Sequence, residues 1–487
     1  MSYDNPIKHT IMPINFKYFD GNILVTTDHG DHLWMTQSDF DALLRGASTD
    51  NIELYHSLKS KQILSTDVAT SIDIAAAKIR SRKRFLYDFT SLHMLVTTVR
   101  CNQRCEYCQA SCEEENAHNY DMSVDVAEKI VDAIFMSPSP SIKIEFQGGE
   151  PTLNWKVIDF VVKYATKSNQ AHNKKLDFVL CTNLTAINED KLKLLADHNV
   201  YLSTSLDGPK DVHDFGRKLR CGDSAYETFR KNLDTARSIL GEDHVDALMT
   251  TTKYSLARSK DIVDEYLNLG FNGLFLRALN PYGFAAEQRD KLGYTAKEFV
   301  NFYKESLGYI LDQNRRGVPV TEYYTALLFS RMMTSQSTGF VDLQSPSGAG
   351  ISGAIYDYNG DVYPADEARM LARMGDRSFC MGNVTQDSFD KIFGGPVVRD
   401  IAAKSCLEIV PGCADCVYRP YCGADPIRNY LEHGDIIGKQ PLSHFCSKNM
   451  KTFDHLFSLL LDEDEFVLDT LWSWITPNSE GRRCEVI

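Results

Sequence analysis

At 487 residues the chain is too long for one ordinary domain, and it has material for two to four units with cores of their own. Its 43% hydrophobic and 24% charged residues are ordinary for a soluble globular protein, while a net charge of −14 speaks against a nucleic-acid-binding surface, which needs a concentrated positive field. No stretch approaches the roughly 18 uncharged apolar residues of a membrane span, and Met1–Thr10 lacks a charged-then-apolar signal pattern; the expectation is a cytoplasmic protein that works on neither membrane nor nucleic acid.

Residues 1–88 read as a small separate unit. Asn22–Thr27 and Asp31–Met35 read as two strands joined by the turn Asp28–Asp31. Ser38–Leu44 begins like a capped helix that Gly46 ends, and Ile52–Leu58 reads as a second short helix. Two strands and short helices suit a winged-helix-like module; a decorating extension is the plainer alternative. Over residues 89–285 short apolar runs alternate with helical patterns. The strands are expected at Leu92–Val99, Ile142–Phe146, Asp177–Cys181, Tyr201–Ser205, Ala247–Thr252 and Gly273–Leu279. Between them helices are expected at Ser123–Phe135, Trp155–Thr166, Asn188–His198, Ala225–Leu240 and Ser259–Leu269. Six such repeats predict an α/β fold, a partial (β/α)6 TIM-like barrel, with chemistry at the carboxyl ends of its strands. Residues 286–345 read as a helical connector. Residues 346–450 are rich in glycine and turns with little core, a composition that calls for a metal staple. In the last unit, 451–487, Thr452–Trp474 reads as one amphipathic helix.

Thirteen cysteines in a reducing compartment point to metals or redox chemistry rather than disulfides. Cys101, Cys105 and Cys108 follow the first strand directly, spaced C-x3-C-x2-C. Three thiolates on one loop can wrap three corners of a [4Fe–4S] cubane and leave the fourth iron open. An open iron can chelate S-adenosylmethionine (SAM), whose reductive cleavage yields a 5′-deoxyadenosyl radical. Zinc, or a closed structural cluster with Cys112 as fourth ligand, is the alternative. The scattered cysteines Cys112, Cys181, Cys221, Cys380, Cys406 and Cys484 otherwise read as small buried hydrophobes.

Cys101–Cys108, with the aromatic Tyr107 before the third cysteine, resembles the signature of the radical SAM superfamily. In that family the aromatic packs near the adenine. Glu145–Pro151 resembles the second-strand Gly-Gly-Glu-Pro motif. The resemblance implies that Gly148 and Gly149 let backbone carbonyls approach the methionine ammonium. It also implies that Glu150 adds a negative charge and that Gln147 faces the same mouth. Asn183 matches the ribose-contacting position, Ser205 lies in a stretch, Ser203–Pro209, that resembles the fourth-strand motif, and Arg217 matches an arginine that meets the SAM carboxylate.

Cys413, Cys416 and Cys422, spaced C-x2-C-x5-C, with Cys446 beyond, supply four thiolates that can close a second site. Zinc is the alternative there too. The segment resembles the SPASM extension of peptide-modifying radical SAM enzymes, which carries auxiliary [4Fe–4S] clusters. Pro426 and Ala365 stand where fuller SPASM domains have cysteines, and the Gly348 region has none. One auxiliary cluster is therefore expected, with Cys380 and Cys406 as candidate extra ligands. Asp366 matches an acidic position that accepts a proton in some SPASM enzymes, and Glu367 is its rival.

The Phe16–Leu44 hairpin and helix, Cys101–Ser111 and Tyr363–Met370 together resemble the His-Xaa-Ser system radical SAM maturase family (HxsB). The resemblance implies a maturase of ribosomally made peptides that takes a hydrogen, from Cβ, and forms a C–C or thioether cross-link. It implies a precursor peptide as partner, its leader gripped by the amino-terminal unit, and an electron donor such as flavodoxin or ferredoxin. Two other functions compete: sulfatase-maturase-like oxidation of a protein Ser or Cys, and a noncatalytic iron–sulfur or zinc protein that binds peptides or senses redox state.

Overall fold

Five short apolar runs, each handed on by a helix with one buried face, build the central sheet of the computed structural model, which describes residues 9–19, 21–46 and 51–476. The runs are Leu92–Thr98, Ser141–Gly148, Lys175–Cys181, Val200–Ser205 and Val245–Leu248, side by side in chain order and parallel throughout. Helix Val124–Phe135 shows how the local sequence does this. Ser123 caps it by accepting the Val126 N–H, and Ala127, Ile130, Val131 and Ile134, at helical spacing, are fully buried in the core. Ile130, Val131 and Ile134 each contribute about 1.5–3 kcal/mol by leaving water.

The sixth expected strand departs from the sheet. Only Gly273–Leu274 pairs as a strand, with Thr321–Glu322. Past it, the Leu276 N–H donates to the buried Glu322 carboxylate at 3.0 Å, so a side chain takes the bond that a ladder would use. The opposite edge, beside the first strand, is taken by Gly353–Tyr356, parallel to Leu92–Leu95. Antiparallel strands Asp361–Tyr363 and Gly382–Asn383 follow it outward. The late segment thus continues the same sheet that carries the first cysteines.

The main sheet of the amino-terminal unit has three antiparallel strands rather than two, Ile14–Phe19, Asn22–Thr27 and His32–Thr36, and Thr10–Ile11 pairs separately with Leu64–Ser65. Ile14–Phe19 is an edge strand whose Phe16 and Tyr18 are exposed, so its sequence lacks a buried-face signal. Helices Gln37–Leu44, Ile52–Ser60 and Val68–Arg82 follow. Arg82 locks this unit to the rest: its buried guanidinium donates to the His29 and Arg331 carbonyls, both at 2.8 Å. The Thr26 hydroxyl donates to the Val417 carbonyl at 2.9 Å, placing the sheet against the second cysteine loop.

The expected helix Thr452–Trp474 is two helices, His444–Leu461 and Glu465–Ile475. The break falls at Asp462–Asp464, where Glu463 takes a left-handed φ of 50° and Asp464 caps the second helix through the Val467 N–H. Among the described residues no helix is long and apolar enough to cross a membrane.

Candidate active site

The first strand runs on past Thr98 alongside the end of the second. The Gly149 N–H donates to the Thr98 carbonyl at 2.9 Å and the Glu150 N–H to the Arg100 carbonyl at 2.7 Å. A Cβ on Gly149 would stand 2.3 Å from the Arg100 oxygen, and one on Gly148, at φ 155°, 2.1 Å from the Thr98 oxygen. Both glycines are therefore required by the backbone that delivers the cysteine loop. Glu150 is fully buried and outside the cavity lining. Its carboxylate accepts the Thr182 hydroxyl at 2.8 Å, the Asn183 N–H at 2.8 Å and the Thr152 hydroxyl at 2.6 Å. Burial holds its pKa above the ordinary value despite those bonds. Glu150 thereby fastens the third strand's end to the second.

Cys101, Cys105 and Cys108 line one cavity of about 980 Å³ together with Tyr107, Gln147, Gly148, Gly149, Asn183, Ser205, Arg217 and Asp366. Apart from Glu150, the residues expected from the first motifs thus meet in one place. The Asn183 amide donates to Asn102 Oδ1 at 2.9 Å, tying the third strand to the cysteine loop. The Tyr107 hydroxyl donates to Asp207, which also takes Arg217 Nε at 3.2 Å, and the Arg217 guanidinium lies 5.4 Å from the Tyr107 ring centre. Asp207, almost fully buried, was missed in the sequence although it lies inside Ser203–Pro209. Gln147 donates to Glu145 at 2.5 Å, and Cys181 donates to the same carboxylate at 3.3 Å. Cys181, expected in the core, lines the cavity.

The donor set fits an iron–sulfur cluster. Three thiols share one loop, and the buried Gln103, in the same lining, keeps its side-chain nitrogen without a partner. Burial pushes the Cys105 thiol up to about 12, so a metal must displace its proton. Among the described residues no three or more His, Cys, Asp or Glu surround one point as a single ion requires; a cubane binds each thiolate to a different iron. Cys112 stands closer than expected. It is buried and lines the same cavity as the other three, with its thiol donating to the Gln103 carbonyl at 3.7 Å.

Asp366 opens the helix Asp366–Arg373, which is strapped to the cysteine loop from two points. Arg369 donates to the Ala110 carbonyl at 3.4 Å; Arg373 donates to the Ser111 carbonyl at 3.3 Å and pairs with Glu113. Burial pushes Asp366 up to about 6, against Arg369 and Arg277. Glu367 is pushed further, to about 8, by burial and by Asp342 and Asp425. Burial thus raises both adjacent carboxyls, and the neighbouring acids raise Glu367 further than Asp366.

Cys413, Cys416, Cys422 and Cys446 line a second cavity of about 350 Å³, and this four-thiol set fits a closed cluster. Cys446 sits in the first turn of its helix, its N–H held by Ser443 Oγ at 3.2 Å. Burial pushes Cys413 up to about 12 and Cys446 to about 11. Ala365 and Ile427, the neighbour of Pro426, belong to one apolar core with Tyr363 and Phe379. Carbon thus fills the region where fuller extensions have more thiols. Cys380 and Cys406 line neither cavity; Cys406 donates to Glu408 at 3.0 Å and Cys380 to the Gly382 carbonyl at 3.6 Å.

The Radical SAM superfamily profile matches residues 95–264. The cysteine-type anaerobic sulfatase-maturating enzyme of Clostridium perfringens (strain 13 / Type A) is 24% identical over 378 residues, 74% of this chain and 95% of that protein. The structure of native anSMEcpe with bound AdoMet and the Kp18Cys peptide superposes with a TM-score of 0.64 at 20% identity, covering 77% of this chain and 98% of that one. Streptococcus suis SuiB bound to the precursor peptide SuiA superposes with a TM-score of 0.52 at 14% identity, covering 88% of this chain and 98% of that one. Residues 95–264 are thus a radical SAM domain, one that works with SAM and a [4Fe–4S] cluster, and the chain is an enzyme with the architecture of sulfatase-maturase-type radical SAM maturases.

Proposed function

We propose that the chain is a cytoplasmic peptide maturase that cross-links a ribosomally made precursor. The observation that carries this reading is the single cavity shared by the three-thiol loop and Asp366, whose carboxylate is ionised above about pH 6. Cys101, Cys105 and Cys108 hold a [4Fe–4S] cluster that, with SAM bound, supplies a 5′-deoxyadenosyl radical able to take a hydrogen atom from an unactivated C–H bond. Tyr107, Gln147, Asn183, Ser205 and Arg217 hold and orient SAM, and Gly148 and Gly149 let the chain close against it. Asp366 takes the proton released when the substrate is oxidised. Cys413, Cys416, Cys422 and Cys446 hold one auxiliary [4Fe–4S] cluster. The amino-terminal unit grips the leader, and a flavodoxin or ferredoxin supplies electrons.

A second reading, oxidation of a protein Ser or Cys, is favoured by the sulfatase-maturating relative. Both reactions remove two hydrogens, so fragmentation of the product peptide must locate the change. The test is anaerobic incubation of the reconstituted protein with reductant, SAM and a co-expressed candidate peptide. We expect 5′-deoxyadenosine and a fragmentation gap at the joined residues. Protein with full iron that never forms 5′-deoxyadenosine overturns both readings, and a modification confined to one Ser or Cys favours the second.

A further inference from the structure

Two side chains, Asp425 and Phe445, line both the reaction cavity and the cavity of the four thiols, so they form the wall between them. Two cations lie near the Phe445 ring: the Arg428 guanidinium is 5.7 Å and the Lys448 ammonium 5.5 Å from its centre. Arg428 is matched by Asp425 at 3.0 Å. Lys448 has no carboxylate within ion-pair distance among the described residues, and its ammonium rests on the Phe445 and Tyr324 rings. The charged and ionisable groups that act on it are Arg428, Asp342, Asp425 and Cys422. One turn of this helix thus carries Cys446, Lys448 and Asn449. The buried Asn449 donates its amide to Cys422 Sγ at 3.5 Å.

A half-buried ammonium without a carboxylate favours a counter-charge nearby. Four thiolates give a cubane a net negative charge, and an accepted electron makes it more negative. Nearby positive charge and N–H bonds to cluster sulfur stabilise that state and raise the reduction potential. We propose that Lys448 sets the potential of the auxiliary cluster, with Asn449 acting in the same direction, so that this site draws electrons from the reaction cavity. Lys448 itself lines the reaction cavity, and its charge acts across the Phe445–Asp425 wall on the cluster held beside Cys446 and Asn449. The proposal rests on the auxiliary-cluster reading above.

The test uses Cys105→Ala full-length protein, in which only the second site should carry a cluster, reconstituted with iron and sulfide. Its midpoint potential is followed by electron paramagnetic resonance during a redox titration. Lys448→Met should lower the potential by about 59 mV, a tenfold shift in a one-electron equilibrium, and Lys448→Gln gives the same readout if the Met variant loses its cluster. Lys448→Arg should keep the parental value, and Asn449→Leu should lower it. Met and Gln variants that hold about four irons at the parental potential overturn the proposal, as does an Arg variant shifted as far as Met. A Cys105→Ala protein that takes up no iron instead removes the auxiliary cluster itself.

Discussion

The Asp207 carboxylate accepts the Tyr107 hydroxyl from a residue 100 positions earlier in the chain. The same carboxylate takes Arg217 Nε at 3.2 Å, with both side chains largely buried. One acid therefore positions the aromatic and the cation that the motifs place at SAM. Asp207→Asn should weaken SAM binding to the reconstituted protein about tenfold, about 1.4 kcal/mol, while iron content stays at the parental level. Asp207→Ala, which strands the Arg217 charge, should cost about 3–5 kcal/mol of stability. Titration calorimetry and urea unfolding check the two; unchanged SAM affinity in the Asn variant would refute the positioning role.

Glu150 gathers four donors from Thr152, Thr182 and Asn183 in a site without solvent. Glu150→Ala leaves them unpaired and should cost about 3 kcal/mol. Glu150→Gln keeps an acceptor oxygen and should lose less. Urea unfolding midpoints measure both, and an alanine variant as stable as the parent would show that the buried network carries no weight.

Asp366 titrates upward, from 3.8 to about 6. Its folded pKa lies above the unfolded one, so the folded protein holds the proton more tightly. The side chain therefore costs stability as pH rises from about 4 to 6, and the cost is complete above that. Asp366→Asn should melt a few degrees above the parent at pH 8, with the gap closing toward pH 4. As a base Asp366 must be ionised, so peptide modification should rise through about pH 6. The Asn variant should still form 5′-deoxyadenosine yet leave the peptide unmodified. Thermal melts and product mass spectra check each half, and normal product from the Asn variant would move the role to Glu367.

Cys112 lines the same cavity as Cys101, Cys105 and Cys108, so its place in the cluster site needs a direct test. If three thiolates hold the first cluster, Cys112→Ala should keep about eight irons per chain and SAM cleavage within about threefold of the parent. Loss of about four irons would instead make Cys112 a fourth ligand, and the open iron would disappear from the mechanism.

Much of the site was legible because local chemistry forces local sequence. A three-thiol loop must follow a strand end, and the close backbone at Gly148 and Gly149 admits no side chain. The first four strands, too, follow from apolar runs separated by amphipathic helices, while the fifth, expected at Ala247–Thr252, runs over Val245–Leu248. The sixth was misjudged because Glu322, 46 residues on, takes the Leu276 N–H. No window around Leu276 contains that competitor. The broken carboxyl-terminal helix was overlooked because its hydrophobic spacing continues across Asp462–Asp464.

By itself the sequence determined the thiol spacing, the strand-then-loop order and the apolar residues that stand where further thiols would be. Only the tertiary structure decided that Asp207 is shared by Tyr107 and Arg217, and that Glu150 lies buried behind the cavity, bonded to Thr152, Thr182 and Asn183. It also decided that the Asp366 helix is strapped to the Ala110–Ser111 loop by Arg369 and Arg373, about 260 positions away. The physical reason is separation along the chain. Spacing and period record what a residue demands of its near neighbours, whereas these partners meet only when the sheet closes and its two cavities come to share a wall.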